Sequence, residues 1–317
     1  MRLGLRLLVG STVMLAACNA IVGFDDLVRL DDTDGGPAEG GPPPGDGGME
    51  ADVRADDADA ARCNPLLPFY LPELEEGLSE GDGGKARDAV LTLDELEIFF
   101  VRIAPGDVTT LRHGRRSDRT KPWTGTQLDI EPLSPVPTTG LSIAAGGLRL
   151  YFRDSVGSTN YVATRPATNM AFTSPTAYLA PSIQGPLFAS ASNDSVYGRF
   201  RPDSGAETVL GRGTNTGTGS TSFEVIPNIH VAGATDEHPV LNGSETKLYF
   251  TSQLSGEFVW GIYVATRASK AGEFGAPTHI GELFTFGLEN AVTWVSDDDC
   301  EVLLNRLGDV YHARRPR

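Results

Sequence analysis

Two clusters of basic side chains and three cysteines are the residues of this chain best equipped for chemistry. Arg112, Arg115, Arg116, Arg119 and Lys121 crowd one short segment, and Arg314, Arg315 and Arg317 form a second. Guanidinium groups at such spacing can grip a phosphate or carboxylate through paired N–H donors. The chain as a whole carries a formal charge of −16. That balance excludes general nucleic-acid binding, which needs a basic surface to neutralise phosphates. The cysteines are Cys18, Cys63 and Cys300. Cys18 closes a segment with Arg2 and Arg6 at its start, an apolar stretch from Leu7 to Met14, and then Leu15-Ala16-Ala17. The stretch is too short to span a bilayer and reads as a removed export signal covering residues 1–17. Export places Cys63 and Cys300 in an oxidising compartment, where they could pair or remain two free thiols.

Catalytic signatures are scarce. No G-x-S-x-G nucleophile elbow occurs. The five histidines (His113, His230, His238, His279 and His312) are scattered without metal-ligand spacing, so neither a metal nor a cofactor is expected. The glycine-rich run from Gly211 to Gly219 lacks the lysine of a phosphate-binding loop and reads as an extended loop. Asp297-Asp298-Asp299 could bind a hard cation, but aspartates equally suit a turn by bonding their own backbone.

The elements that must position these residues recur with a fixed period. Phe69, Trp123, Phe172, Phe223 and Phe274 are separated by 54, 49, 51 and 51 residues. Apolar runs at Ile98-Phe99-Phe100, Leu150-Tyr151-Phe152 and Leu248-Tyr249-Phe250 keep the same beat. So does Tyr161-Val162-Ala163-Thr164-Arg165, repeated at Tyr263–Arg267 and degraded at Tyr311–Arg315. A period near fifty made of short strands predicts a β-propeller, here five four-stranded blades over residues 63–317. In the fourth repeat the strands are expected at Glu237–Leu241 (A), Lys247–Ser252 (B), Gly261–Thr266 (C) and Phe274–Ile280 (D), with the aromatic heading each D strand wedged between blades. The last repeat has no D strand, and a spare one, Phe69–Glu75, precedes the first repeat. Pairing the two closes the ring and covers two sheet edges. Cys300 then sits in the A–B turn of the last blade and Cys63 just before the donated strand, at the same end of the sheet, so a Cys63–Cys300 disulfide is expected.

This phase brings Arg112, Arg116, Arg119 and Lys121 of the first blade beside Arg314 and Arg317 of the last, as one possible anion-binding patch. The competing reading makes Arg115, Arg165, Arg267 and Arg315 structural arginines that bond within their own blades. Residues 18–62 cannot fold. Between Asp25 and Arg62 there are twelve acidic residues against three arginines, among glycine- and proline-rich runs. They are a tether of typical span roughly 35–40 Å.

Leu15-Ala16-Ala17-Cys18 resembles the lipobox of bacterial lipoproteins, which implies diacylglycerol on the Cys18 thiol, cleavage before it, and acylation (a palmitate-type chain) of the new amine. Asn19 then favours the outer membrane. Asp236-Glu237-His238-Pro239-Val240-Leu241-Asn242 with Leu248-Tyr249-Phe250-Thr251-Ser252 is similar to WD40-like repeats of the periplasmic Tol-Pal propeller and of related lipoproteins. The resemblance covers residues 63–317 and implies fold and cell-envelope location. It transfers no catalytic residues, and the Tol-Pal propeller has six blades where five repeats are found here. The expected function is non-enzymatic binding or scaffolding of envelope proteins. A glycan-binding module, or a glycoside-processing enzyme with carboxylates at the propeller axis, is the alternative.

Overall fold

The computed structural model describes residues 63–317, apart from 79–82, 130–137, 155, 157, 181, 203–206, 231–232, 254–259 and 285–289. The expected signal segment, Cys18 and the expected tether lie outside the described residues. Within them no helix is long and apolar enough to cross a membrane.

The architecture is five antiparallel four-stranded sheets. The chain enters through β1 (Glu73–Leu74) and builds blade 1 from β2 (Lys85–Leu91), β3 (Glu97–Ala104), β4 (Val108–Arg115) and β5 (Thr124–Asp129). Blade 2 is β6 (Thr138–Ala144), β7 (Arg149–Asp154), β8 (Asn160–Thr164) and β9 (Thr176–Ala177). Blade 3 is β10 (Ile183–Ala189), β11 (Ser195–Phe200), β12 (Val209–Asn215) and β13 (Ser220–Val225). Blade 4 is β14 (Thr235–Leu241), β15 (Lys247–Gln253), β16 (Gly261–Thr266) and β17 (Thr278–His279). Blade 5 takes β18 (Asn290–Val295), β19 (Glu301–Arg306) and β20 (Asp309–Arg314) from the end of the chain and β1 from its start.

The innermost strands β2, β6, β10, β14 and β18 contact one another in sequence, and β18 returns to β2, so the ring is closed. The second strand of each blade is buried along its length because both its faces meet neighbouring blades. Ile98, Phe99, Phe100 and Val101 in β3, or Leu248, Tyr249 and Phe250 in β15, are almost wholly excluded from solvent. Such runs are apolar without alternation, as expected for strands covered on both sides.

Closure is modest in backbone terms. β1 pairs with β20 at Glu73↔His312 and Leu74↔Tyr311. The amides of Asn64, Tyr70 and Glu75 add hydrogen bonds to the carbonyls of Pro316, Arg314 and Val310. A disulfide joins Cys63 to Cys300, in the turn between β18 and β19.

Two local readings of the sequence need correction. The outer strands are shorter than expected: blade 4 pairs only at Thr278–His279 rather than across Phe274–Ile280. The ring of Phe274 is buried between blades 3 and 4 as expected, and single hydrogen bonds from the Gly275 amide to Thr266 and the Ile280 amide to Ile262 flank the short ladder. The run from Gly211 is also not an extended loop. It continues β12 as far as Asn215. Its glycines are a packing device: a Cβ on Gly211 would run into the Phe200 ring and the Glu224 carbonyl, and one on Gly213 would lie 2.9 Å from the Phe223 ring.

Candidate functional site

The repeat places one charged constellation at the same point of each blade. The residue just after the third strand is an arginine in four of the five: Arg116, Arg165, Arg267 and Arg315. Each backbone amide donates to the carbonyl of the residue preceding the second strand, Leu96, Leu148, Thr246 and Cys300, at 2.8–3.0 Å. Each Nε donates to the carbonyl one residue earlier, on Glu95, Gly147, Glu245 and Asp299, at 2.6, 2.7, 2.7 and 2.9 Å. Each guanidinium then covers the aromatic ring ahead of its blade's outer strand. The distances to the ring centroids are 4.4 Å for Trp123, 4.8 Å for Phe172, 4.3 Å for Phe274 and 3.8 Å for Phe69. Cation–π contact with hydrogen bonds to two successive turn positions makes this a structural lock between turn and outer strand.

The turn residue that receives the Nε has a left-handed backbone, with φ of 59° at Glu95, 57° at Glu245, 64° at Asp299 and 88° at Gly147. Glutamate and aspartate tolerate that conformation here because their carboxylates meet the same arginine, at 3.6 Å for Arg116–Glu95, 3.9 Å for Arg267–Glu245 and 3.4 Å for Arg315–Asp299. In blade 2, where glycine replaces the acid, Arg165 pairs across the junction with Glu97 of blade 1. Burial alone would raise the Glu97 carboxyl, but hydrogen bonds from His113 and Arg165 outweigh it and hold the group at about 2. Blade 3 replaces the whole lock with amides. Asn215 takes the arginine position, and its side chain donates to Asn193 and Tyr151 while Tyr178 donates to it at 2.9 Å.

Sequence reasoning assigned the structural position in blade 1 to Arg115, one residue early. Register shows why. Phe152 pairs with Tyr161, Phe250 with Tyr263 and Leu304 with Tyr311, and the matching residue opposite Phe100 is Arg112. Arg112 therefore occupies the tyrosine position, and four residues on is Arg116. Burial pushes the Arg116 guanidinium below its ordinary value while Glu95 pulls it back. Asp297–Asp299 form the A–B turn of blade 5. Asp298 accepts from Ser296 at 2.7 Å, and Asp299 holds Lys247, Tyr249 and Arg315.

A second repeated feature escaped the sequence reading. The third residue of the second strand is a tyrosine in blades 2, 3 and 4, and it reaches toward the turn of the following blade. Tyr151 donates to Asn193 at 2.8 Å, Tyr249 donates to Asp299, and Tyr197 lies beside Glu245. In blade 1 the same position is Phe99, an aromatic ring without a hydroxyl, and in blade 5 it is Leu303, with neither ring nor hydroxyl.

The Leu303 junction, between blades 5 and 1, is where a pocket of about 300 Å³ opens. Its walls include Trp123, Trp294, Leu91, Ile98 and Leu303, and its rim carries Arg116, Arg119, Lys121 and Arg314 with Glu75, Glu301 and His312. Of the six patch residues expected from sequence, the structure thus gathers Arg116, Arg119, Lys121 and Arg314 around one opening. Arg112 stays on its strand, half-buried, with Nε donating to Thr110 at 3.2 Å, and Arg317 is exposed at the chain end; neither lines the pocket. Arg119 lies 3.7 Å from Glu95, and Arg314 lies 3.8 Å from Glu301 while remaining 63% exposed. His312 sits between Glu301 at 3.0 Å and Glu75 at 3.4 Å. Burial would lower the His312 imidazole, but its hydrogen bonds to the two glutamates raise it above its usual value.

A second cavity lies on the ring axis, with all five innermost strands contributing to its lining. Its volume is about 60 Å³, and its walls include Val90, Leu93, Ile143, Phe188, Val240 and Val295, with no ionisable side chain among the lining residues. Among the described residues no group of three or more His, Cys, Asp or Glu could hold a metal ion.

These features define a five-bladed β-propeller closed by both chain ends. Among solved structures it is similar to TolB from Acinetobacter baumannii, with a TM-score of 0.51 and 13% identity, over 78% of this chain and 62% of that one. This chain thus spans less than two thirds of that protein's length. Putative TolB from Agrobacterium tumefaciens also matches, at a TM-score of 0.46 and 15% identity, over 72% of this chain and 74% of that chain. No family model matches the chain, and no curated protein does. At these identities the likeness concerns the fold.

Proposed function

We propose that the chain is a lipid-anchored protein of the bacterial envelope, outer-membrane facing, whose propeller binds protein partners rather than transforming a substrate. The observation that carries this reading is the make-up of the axis. In a propeller the axial cavity is where side chains from every blade converge, and here the lining is apolar, small and without an acid or base. The repeated charged groups are committed to locks between turns and outer strands. What remains is a rigid face of A–B turns around an apolar centre, with Leu93 exposed at its edge. Such a face suits a protein surface. The rival reading of a glycoside-processing enzyme needs a pair of carboxylates at the axis, and the lining residues supply none. The Leu15-Ala16-Ala17-Cys18 segment supports the anchor, and the fold shared with TolB fits an envelope setting.

Two measurements test this. Cys18→Ser should release the protein from the membrane fraction or block its processing; unchanged processing and partition defeat the anchor. A photo-crosslinking side chain at position 93, beside the axis, should capture a discrete envelope protein. The same probe at position 108, at the start of β4 and the other end of blade 1, should not. No adduct at 93, or the same adducts at both positions, defeats the partner face.

A further inference from the structure

We infer that the pocket between blades 5 and 1 is a binding site for a single acidic sugar ring, a uronic-acid-type pyranose carrying one carboxylate. The proposal does not depend on the partner face at the axis, although Leu91 and Trp294 line both cavities.

The site exists because the repeat is broken there. In blades 2, 3 and 4 a tyrosine from the second strand fills the junction and reaches the next turn. Leu303 is shorter and carries no hydroxyl, and the space left at this junction is about 300 Å³. That lies at the lower end of the range of small-molecule sites, roughly 300–1,000 Å³, which suits one ring better than a chain. The ring closure also meets here: Glu75 directly follows β1 and His312 lies in β20, the two strands that complete blade 5.

Three sorts of group line the space, and together they favour a sugar acid. The indoles of Trp123 and Trp294, with Leu91, Ile98 and Leu303, offer apolar surface for the C–H faces of a pyranose. Arg119, Lys121 and Arg314 stand at the rim as cations for a carboxylate, Arg116 being held by its lock. Glu75, Glu301, His312 and the Thr120 hydroxyl line the same pocket and suit ring hydroxyls as acceptors and donors. Four permanent cations face two lining carboxylates and Glu95, which pairs with Arg116 and Arg119, so a net positive charge remains at the opening of a strongly acidic chain and favours an anion. Glu75 and Glu301 hold His312 and Arg314 but keep further lone pairs for ring hydroxyls, which a sugar acid offers and a flat aromatic acid does not.

The test uses the intact chain and its own fluorescence, since two of its three tryptophans line the pocket. Titration with glucuronate should change the emission saturably, with glucose, benzoate and inorganic phosphate at least tenfold weaker. Raising salt should weaken glucuronate binding, because the rim charges are exposed. Lys121→Gln with Arg314→Gln should reduce affinity at least tenfold while leaving the fold intact. Leu303→Tyr, which installs the tyrosine of blades 2, 3 and 4, should abolish binding with every cation still present. Methyl glucuronide binding as well as the free acid would assign the site to a glycan end, and binding of the free acid alone would assign it to the monosaccharide. Glucuronate binding no better than glucose or benzoate, or undiminished in both the charge variant and a folded Leu303→Tyr protein, overturns the proposal.

Discussion

Opening the bond between Cys63 and Cys300 should cost the propeller much of its stability without opening the ring. The bridge closes a loop of 237 residues. In the chain-entropy model a loop of that length restricts the unfolded chain by roughly 5 kcal/mol. Engineered and natural bridges often deliver less, so about 3–5 kcal/mol is the expected loss. The native ring keeps its other holds when the bond is cut. β1 still pairs with β20, Phe69 remains buried beneath Arg315, and that arginine still donates to the Leu67 carbonyl. The assay is urea unfolding of the oxidised protein, the reduced protein and the Cys63→Ser/Cys300→Ser variant. With a slope of about 3 kcal/mol/M, the midpoint should fall by ~1–2 M on reduction, and the variant should be indifferent to reductant. Near-ultraviolet dichroism without urea should be unchanged, because the tertiary environment of the tryptophans does not rest on the bond. A midpoint that ignores reductant, or two thiols that alkylate readily in the native protein, would refute the reasoning.

Three further outcomes follow from the locks and packing. Arg267→Ala removes the donor to the Glu245 carbonyl and the cover over Phe274, while Lys270 still faces the Glu245 carboxylate at 3.0 Å, so the loss should be about 1–3 kcal/mol; adding Glu245→Gln should cost less than the sum of the two single changes, and a single-variant loss below ~0.5 kcal/mol on urea unfolding would contradict the lock. Glu97 is held at about 2 against an ordinary value of 4.5, so its contribution is present above pH 4.5 and is lost as the pH falls toward 2. The stability gap between the wild type and Glu97→Gln should therefore shrink across that window, and a gap independent of pH there would count against the Arg165 and His113 contacts. Gly211→Ala should destabilise by about 1–3 kcal/mol through overpacking against Phe200, while Gly281→Ala, with open space around it, should be close to neutral in the same thermal scan.

The architecture was legible because a propeller repeats its signals. Five aromatics at constant spacing and the apolar second strands mark every blade, and the surplus strand at one end with the deficit at the other dictates the closure. What was lost depends on side-chain geometry that one-dimensional counting does not carry. In blade 1 the marker tyrosine is replaced by Arg112, so counting slipped by one and assigned the lock to Arg115 instead of Arg116. The glycines of β12 were read as looseness, although they make room for Phe200 and Phe223. The acids at Glu95, Glu245 and Asp299 looked like ordinary turn residues; nothing in their spacing says that they face the arginine that ends the third strand, at the same end of the sheet. The basic cluster was visible in the sequence, but the pocket beneath it was not. It depends on Leu303 standing where three other blades have tyrosine, and one leucine in an apolar run is unremarkable to a reader without the ring.

The placement of Cys63 has a mechanical consequence. Any pull on the chain ahead of Cys63 enters the propeller there, and two routes lead onward. One is the backbone through Asn64 to the two-residue ladder of β1; the other is the disulfide to Cys300. The covalent route is the shorter and tightens first. Tension is therefore delivered to the turn between β18 and β19, two strands that pair from Asn290↔Arg306 to Val295↔Val302. A domain held by its leading end would otherwise peel from its weakest strand, one residue pair at a time. Here the segment ahead of β1 is fastened to a well-paired hairpin of the last blade, so a load applied ahead of Cys63 reaches that hairpin before it reaches the closing strand.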